Sequence, residues 1–212
     1  YTVSSSGVWT YTQGANMQGL DASESASDTF DVDASDGTSQ TVTITLTGAN
    51  DAPVFSGSAA SASVEEGATT VATYAATDAD DSAALTYSKS GGADTALFAV
   101  DSSTGALTFS TAPDYDSGTA CAAGNSCVVE LTVSDTLATG TITVTVAITA
   151  ANDNTPIFTD GGAASASVEE GVTTVATYAA TDADDTSAHN TITYSKSGGV
   201  DTALFAVDSS TG

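Results

Sequence analysis

Apolar and polar residues alternate strictly along parts of this chain. Residues 41–47 read Thr-Val-Thr-Ile-Thr-Leu-Thr, and residues 141–149 alternate mostly threonine with apolar side chains. A period of two in β-branched residues predicts strands with one face buried and the other in water. Shorter runs at 71–77, 84–88, 97–100, 106–109 and 128–133 predict further strands. Turn signals separate them: Asp36-Gly37, Gly91-Gly92 and Ser103-Thr104-Gly105. No segment combines helix caps with a 3.6-residue period. Short strands at this density predict an all-β chain of tandem Ig-like antiparallel β-sandwiches.

The pattern also repeats at long range. SASVEEGATTVATYAATDADD at 61–81 returns as SASVEEGVTTVATYAATDADD at 165–185, and TYSKSGGADTALFAVDSSTG at 86–105 returns as TYSKSGGVDTALFAVDSSTG at 193–212. The second spacing is three residues longer, so the later copy carries an insertion around His189 and Asn190. A period of about 105 residues suits a sandwich domain rather than a solenoid. The opening fits the frame more loosely: 1–10 resembles 98–108, and 41–50 parallels 141–152. The expected organisation is the second half of one unit at 1–52, a complete unit at 53–154 and the first half of a third at 155–212. The boundaries fall at Asn50-Asp51 before Pro53 and at Asn152-Asp153-Asn154 before Pro156. Tyr1 opens the chain with neither Met nor a signal-like stretch, which implies a processed product or a window of something longer.

Charge changes the picture. Among 212 residues, 27 are Asp or Glu and only 2 are Lys or Arg, a formal net charge of -25. Nothing here could neutralise phosphates, so nucleic acid is excluded, and an anionic membrane surface is disfavoured. No apolar run is long enough for membrane insertion of this segment. One histidine and no His–nucleophile constellation argue against an enzyme. Twenty-five like charges repel within a compact fold, yet the apolar patterning argues against disorder. A cation absent from the sequence resolves the conflict, and hard oxygen ligands without soft ones point to calcium.

The acids are clustered: Glu65-Glu66, then Asp78, Asp80 and Asp81, then Asp114 and Asp116, then Asp135, then the Asn-Asp linkers. An Asp-x-Asp at a strand end turns two carboxylates toward one ion, which needs six to eight oxygens. The spacing is not that of an EF-hand. Glu65 reads as a solvated neighbour of Glu66, and Asp36-Gly37 as a hairpin turn.

Taken in order, these stretches resemble a known family. Val64-Glu65-Glu66, Asp78-Ala79-Asp80, Phe98-Ala99-Val100-Asp101, Asp114-Tyr115-Asp116, Thr132-Val133-Ser134-Asp135 and Asn152-Asp153-Asn154 are similar to the motifs of cadherin repeats. Residues 1–52 resemble the end of a VCBS repeat, as in bacterial RTX-type adhesins. The resemblance implies calcium ions held between consecutive domains. At the lower junction it implies Glu66, Asp114, Asp116, Asn152, Asp153 and Asn154, with Asp182, Asp184 and Asn190 from the next unit. At the upper junction it implies Asn50, Asp51, Asp78, Asp80 and Asp135, with Asp21 and Glu24 as weaker candidates. Ala52 stands where the lower linker has Asn154, and the counterpart of Asn190 is missing, so fewer or weaker ions are expected at the upper junction.

Cys121 and Cys127 read as a structural disulfide closing a short loop, with metal binding or redox switching as alternatives. His189 reads as a loop histidine. Trp9, Tyr11, Phe30, Phe98 and Phe109 read as core residues rather than a sugar platform. The function expected is a calcium-stiffened stalk segment of a large extracellular adhesin or surface filament. Its partners would be neighbouring repeats of the same chain or filament, with homotypic or glycan contacts. Alternatives are a filament subunit assembled by end-to-end strand complementation and a glycan- or partner-binding module.

Overall fold

The computed structural model describes residues 2–4, 6, 8–12, 20–57, 60–80, 84–160, 164–184 and 189–212. Its strands are β1 (Thr2–Val3), β2 (Trp9–Thr10), β3 (Ser25–Asp33), β4 (Ser39–Thr47), β5 (Val54–Phe55), β6 (Ser61–Glu65), β7 (Thr70–Thr73), β8 (Ala76–Thr77) and β9 (Thr86–Gly91). They continue with β10 (Phe98–Val100), β11 (Ala106–Phe109), β12 (Ser126–Ser134), β13 (Thr139–Thr149), β14 (Ile157–Phe158) and β15 (Ala180–Thr181). Helical geometry among the described residues is confined to the 3-10 turns Thr95–Leu97 and Thr202–Leu204. The chain divides into two compact units. One is Tyr1–Ala62 with Thr70–Ser110 and Val128–Thr145; the other is Ser63–Thr69 with Thr111–Cys127 and Val146–Gly212.

The longest strands follow the alternation. Along β12, Cys127, Val129, Leu131 and Val133 are buried between half-buried neighbours. Along β13, Val144, Val146 and Ile148 are buried and the intervening Thr145 and Ala147 are exposed. Each such side chain contributes roughly 1.5–3 kcal/mol by burial. The main sheet runs in the order β6-β13-β12-β9, and a three-stranded sheet runs β10-β11-β7. Phe98 and Phe109 stack with ring centroids 4.5 Å apart.

In the first unit, β3 and β4 form a hairpin closed at Asp36-Gly37, with Gly37 at φ 87° and Ala34 N–H donating to the Thr38 carbonyl. The β1–β2 pair aligns Thr2 with Thr10 and Val3 with Trp9, the register in which β10–β11 aligns Ala99 with Thr108 and Val100 with Leu107. The similarity of 1–10 to 98–108 is therefore structural. Two expectations need correction. The run at 71–77 is broken at Tyr74-Ala75 into β7 and β8, which pair in different sheets because Tyr74 turns into the core. Trp9 is not a core residue: it is exposed and lies 4.9 Å from the Phe30 ring.

In the second unit, the repeated sequence behaves differently. Residues 61–65 form β6, whereas the same residue types at 165–169 are in no strand. Val64 is 5% exposed and its copy Val168 is 51%; Phe98 is 1% exposed and Phe205 is 53%. Local contacts survive in both copies. Tyr87 Oη accepts from Ala76 N–H at 3.0 Å, as Tyr194 Oη does from Ala180 N–H. Phe55–Tyr87 and Phe158–Tyr194 sit at 6.2 and 6.3 Å. Of the strands β5–β10, only the β5–β8 pair recurs among the described residues of the later copy, as β14–β15.

Candidate metal centres

The lower cluster lies wholly in the second unit. It begins where β6 ends. Glu66 is buried, and each carboxylate oxygen accepts one backbone N–H: Oε2 from Tyr115 at 2.6 Å and Oε1 from Ala151 at 2.7 Å. These bonds fix Glu66 against both the 113–116 loop and the start of the linker. Carboxylate oxygens of Glu66, Asp116 and Asp153 lie within 4.8 Å of one another. A cleft of about 230 Å³ opens beside them, lined by Glu66, Gly67, Pro113, Asp114, Asp153 and Asn154.

Asn154 bridges this set to the residues beyond the linker. Its Nδ2 donates to Asp116 Oδ2 at 2.7 Å, to Asp153 Oδ1 at 3.2 Å and to Asp184 Oδ1 at 3.0 Å. Its backbone N–H also reaches Asp184 Oδ1 at 3.2 Å. Asp182 Oδ1 accepts from Asp184 N–H at 3.2 Å. Asn152 Nδ2 donates to the His189 carbonyl at 3.3 Å, and Asn190 follows as an exposed residue. Asp114 Oδ1 accepts from Ser117 N–H at 3.0 Å, which turns the loop at the cleft's edge.

The upper cluster lies wholly in the first unit. Oxygens of Asp78, Asp80 and Asp135 lie within 4.8 Å of one another. Asp80 Oδ2 accepts from Asp51 N–H at 3.0 Å, and Asp78 Oδ1 from Asp80 N–H at 3.0 Å. Asn50 Nδ2 donates to Asp135 Oδ2 at 2.8 Å. Asp135 Oδ1 accepts from Leu137 and Ala138 N–H at 2.7 and 2.6 Å, across Thr136, a threonine at φ 87°. A β-branched residue in that region is strained, so the turn is held by its neighbours' bonds. A cleft of about 380 Å³ here is lined by Asp21, Asn50, Asp80 and Asp135 among others. Asp21 reaches it because Gly48 allows close approach: a Cβ there would sit 2.1 Å from the Asp21 carbonyl. Glu24 closes the same turn, its N–H donating to the Asp21 carbonyl at 2.8 Å. Asp81 lies outside the described residues.

Three carboxylate oxygens in these clusters are buried and accept no hydrogen bond: Asp78 Oδ2, Asp80 Oδ1 and Asp184 Oδ2. Asp80 is 7% exposed and Asp184 1%. A buried anionic oxygen without a partner is costly. Asp153 is pushed above the usual carboxylate range by desolvation first, then by the charges of Glu66, Asp184, Asp116 and Asp114. At Asp184 burial pushes upward, but the side-chain and backbone bonds from Asn154 prevail and leave it lowered. Asp135 is lowered first by the Ala138 N–H, then by the Asn50 amide. In both clusters an asparagine amide supplies the positive end among the carboxylates. The donor set fits a hard divalent cation: oxygens only, three of them buried without a hydrogen bond.

The structure brings together most of the expected ligands. It also changes one correspondence. The backbone bond that Asn154 makes to Asp184 is made to Asp80 by Asp51, not by Ala52. Counted back from each proline, Asp51 is the counterpart of Asn154. The backbone donors at Tyr115 and Ala151 were invisible in the sequence, because main-chain N–H groups carry no residue signature.

No family model and no curated protein matches the sequence. Solved structures do match. A protocadherin gammaB7 EC3-6 cis-dimer structure aligns at TM-score 0.63 and 22% identity, over 89% of this chain and 50% of that one. The fold is cadherin-like. Mouse cadherin-23 EC22-24 aligns at TM-score 0.57 and 22% identity, over 89% of this chain and 62% of that one. Human protocadherin-24 EC1-2 aligns at 0.57 and 28%, over 70% and 69%. This cadherin-like chain thus spans half the length of the gammaB7 fragment. None of its described helices is long and apolar enough to cross a membrane.

Proposed function

We propose that this chain is a calcium-stiffened structural segment of an extracellular adhesin or surface filament, built from tandem cadherin-like repeats. In this reading 53–154 is a complete repeat, 1–52 ends the preceding one and 155–212 begins the next. The reading is non-catalytic. The observation that carries it is the set of buried, unbonded carboxylate oxygens of Asp78, Asp80 and Asp184, one group beside each linker. Calcium at the lower set would be held by Glu66, Asp114, Asp116, Asp153, Asp182 and Asp184, with oxygens of Asn152, Asn154 and Asn190. At the upper set it would be held by Asn50, Asp51, Asp78, Asp80 and Asp135. A net charge of -25 supplies the need for such ions. Without them facing carboxylates repel and the linker flexes. With them, residues before and after the linker share one charge centre. Modules of this kind bind calcium at about 10⁻⁴–10⁻³ M, a range met outside cells. The asparagine amides that now donate to carboxylates would turn their oxygens inward.

Thermal unfolding with calcium titrated against a chelator tests this. The melting temperature is expected to rise over millimolar calcium and to lose most of that rise in Asp153→Ala, by linkage. Melting indifferent to both calcium and chelator contradicts the reading.

A further inference from the structure

We infer that the Cys121–Cys127 loop positions the lower ligand set, with Asn125 as the residue that transmits it. The inference rests on the calcium reading above and concerns only the second unit. The loop 117–126 is made of Ser, Gly, Thr, Ala, Asn and Cys, with no large apolar side chain to anchor it. It is held instead by the Cys121–Cys127 disulfide, whose Cα atoms are 5.0 Å apart. A reciprocal pair of backbone bonds between Cys121 and Gly124, at 2.8 and 3.1 Å, tightens the turn inside the ring. Both sulfur-bearing residues are buried.

This ring delivers Asn125 to one place. The Asn125 carbonyl accepts from Ile148 N–H at 2.8 Å, which docks the loop on β13. Asn125 Nδ2 donates to the Tyr115 carbonyl at 2.9 Å. On its other side, Tyr115 N–H donates to Glu66 Oε2 at 2.6 Å. Tyr115 is therefore pinned through both of its backbone polar groups, and its chain neighbours are Asp114 and Asp116. Three carboxylates of the lower set hang on one residue whose position the disulfide loop fixes. Among the described residues the upper set has no such disulfide loop: its carboxylates are held by Asp51, Asn50, Asp80, Leu137 and Ala138. Groups that orient metal ligands without touching the ion are typically worth about 10–100-fold in affinity. Asn125 is thus a positioning residue, and the two sets differ in what holds them.

The test is calorimetric titration of calcium into the Asp80→Asn protein, where only the lower set remains intact. Asn125→Ala and the double variant Cys121→Ala/Cys127→Ala are made in that background. Each is expected to raise the calcium Kd by about tenfold. Unfolding in chelator supplies the control for a merely structural role: such a role lowers the melting temperature equally with and without calcium and leaves Kd unchanged. Kd values within twofold of the parent in both variants overturn the inference while the calcium reading stands. Weakening in Asn125→Ala alone overturns the part assigned to the disulfide. No calcium uptake by the Asp80→Asn parent overturns the inference together with the lower-site reading.

Discussion

In the proposed reading Glu66 carries two jobs, and removing its carboxylate separates them. In Glu66→Ala, the N–H groups of Tyr115 and Ala151 lose their acceptor in a buried position. An orphaned buried donor costs about 1–3 kcal/mol, so the pair costs about 2–6 kcal/mol. Some of this is returned. Two like charges 4.8 Å apart repel by roughly 0.9 kcal/mol even in a fully aqueous dielectric, and Glu66 has two such neighbours in Asp116 and Asp153. The net expectation in chelator is a loss of about 0.2–4 kcal/mol. Calcium adds the second effect. A site filled at about 100 times its Kd stabilises by about 2.7 kcal/mol, and the variant forfeits that at the lower set. The gap between variant and wild type should therefore widen in about 10 mM calcium by up to that amount. Urea unfolding followed by far-ultraviolet circular dichroism, in chelator and in calcium, reads both differences. A variant more stable than wild type in chelator refutes the two backbone bonds. A gap that stays the same in calcium refutes Glu66 as a ligand.

Further outcomes follow from the same geometry. Asp153→Asn should stabilise the protein in chelator at neutral pH, because the raised carboxyl is penalised while ionised. That advantage should shrink as pH falls through the raised value toward about 3.9, where wild type protonates too, and should reverse sign in calcium. Asp101 behaves oppositely. Its carboxyl is lowered, chiefly by the Thr104 and Ser103 N–H groups, so it stabilises above about pH 3.9 and that contribution is lost as pH falls through its folded value. Asp101→Ala should lower the melting temperature at pH 7, with the difference vanishing in acid. Gly105→Ala should destabilise by about 2–4 kcal/mol in thermal unfolding, since Gly105 sits at φ 72° and a Cβ would meet the Tyr74 carbonyl at 2.4 Å.

The two copies of the repeat show how much of this fold could be read from sequence. Short-range features appear wherever the residues do. The Asp101 turn recurs at Asp208, and Lys89 and Lys196 each reach two carbonyls of their 3-10 turns. Strands do not all recur: β6 has no counterpart at 165–169 despite near-identical sequence. Alternation states which face can be buried, not whether anything covers it. The break at Tyr74 escaped notice because a buried tyrosine in a β-rich run looks like any strand position. The acidic clusters were legible because repetition and linkers put the same residue types at the same places. Their bracing was not. Asn125 looks like loop punctuation, Thr136 like a strand end, and the donors to Glu66 belong to the backbone.

In the proposed reading the linker carboxylates converge to hold calcium. Direct binding of calcium to chelator-stripped protein, by equilibrium dialysis or calorimetry, tests it most simply. Saturable uptake with Kd of about 10⁻⁴–10⁻³ M is expected. Asp80→Asn should remove the upper fraction, Asp184→Asn the lower fraction, and the double variant nearly all of it. Uptake no greater than that of buffer, or uptake that both substitutions leave unchanged, contradicts the account.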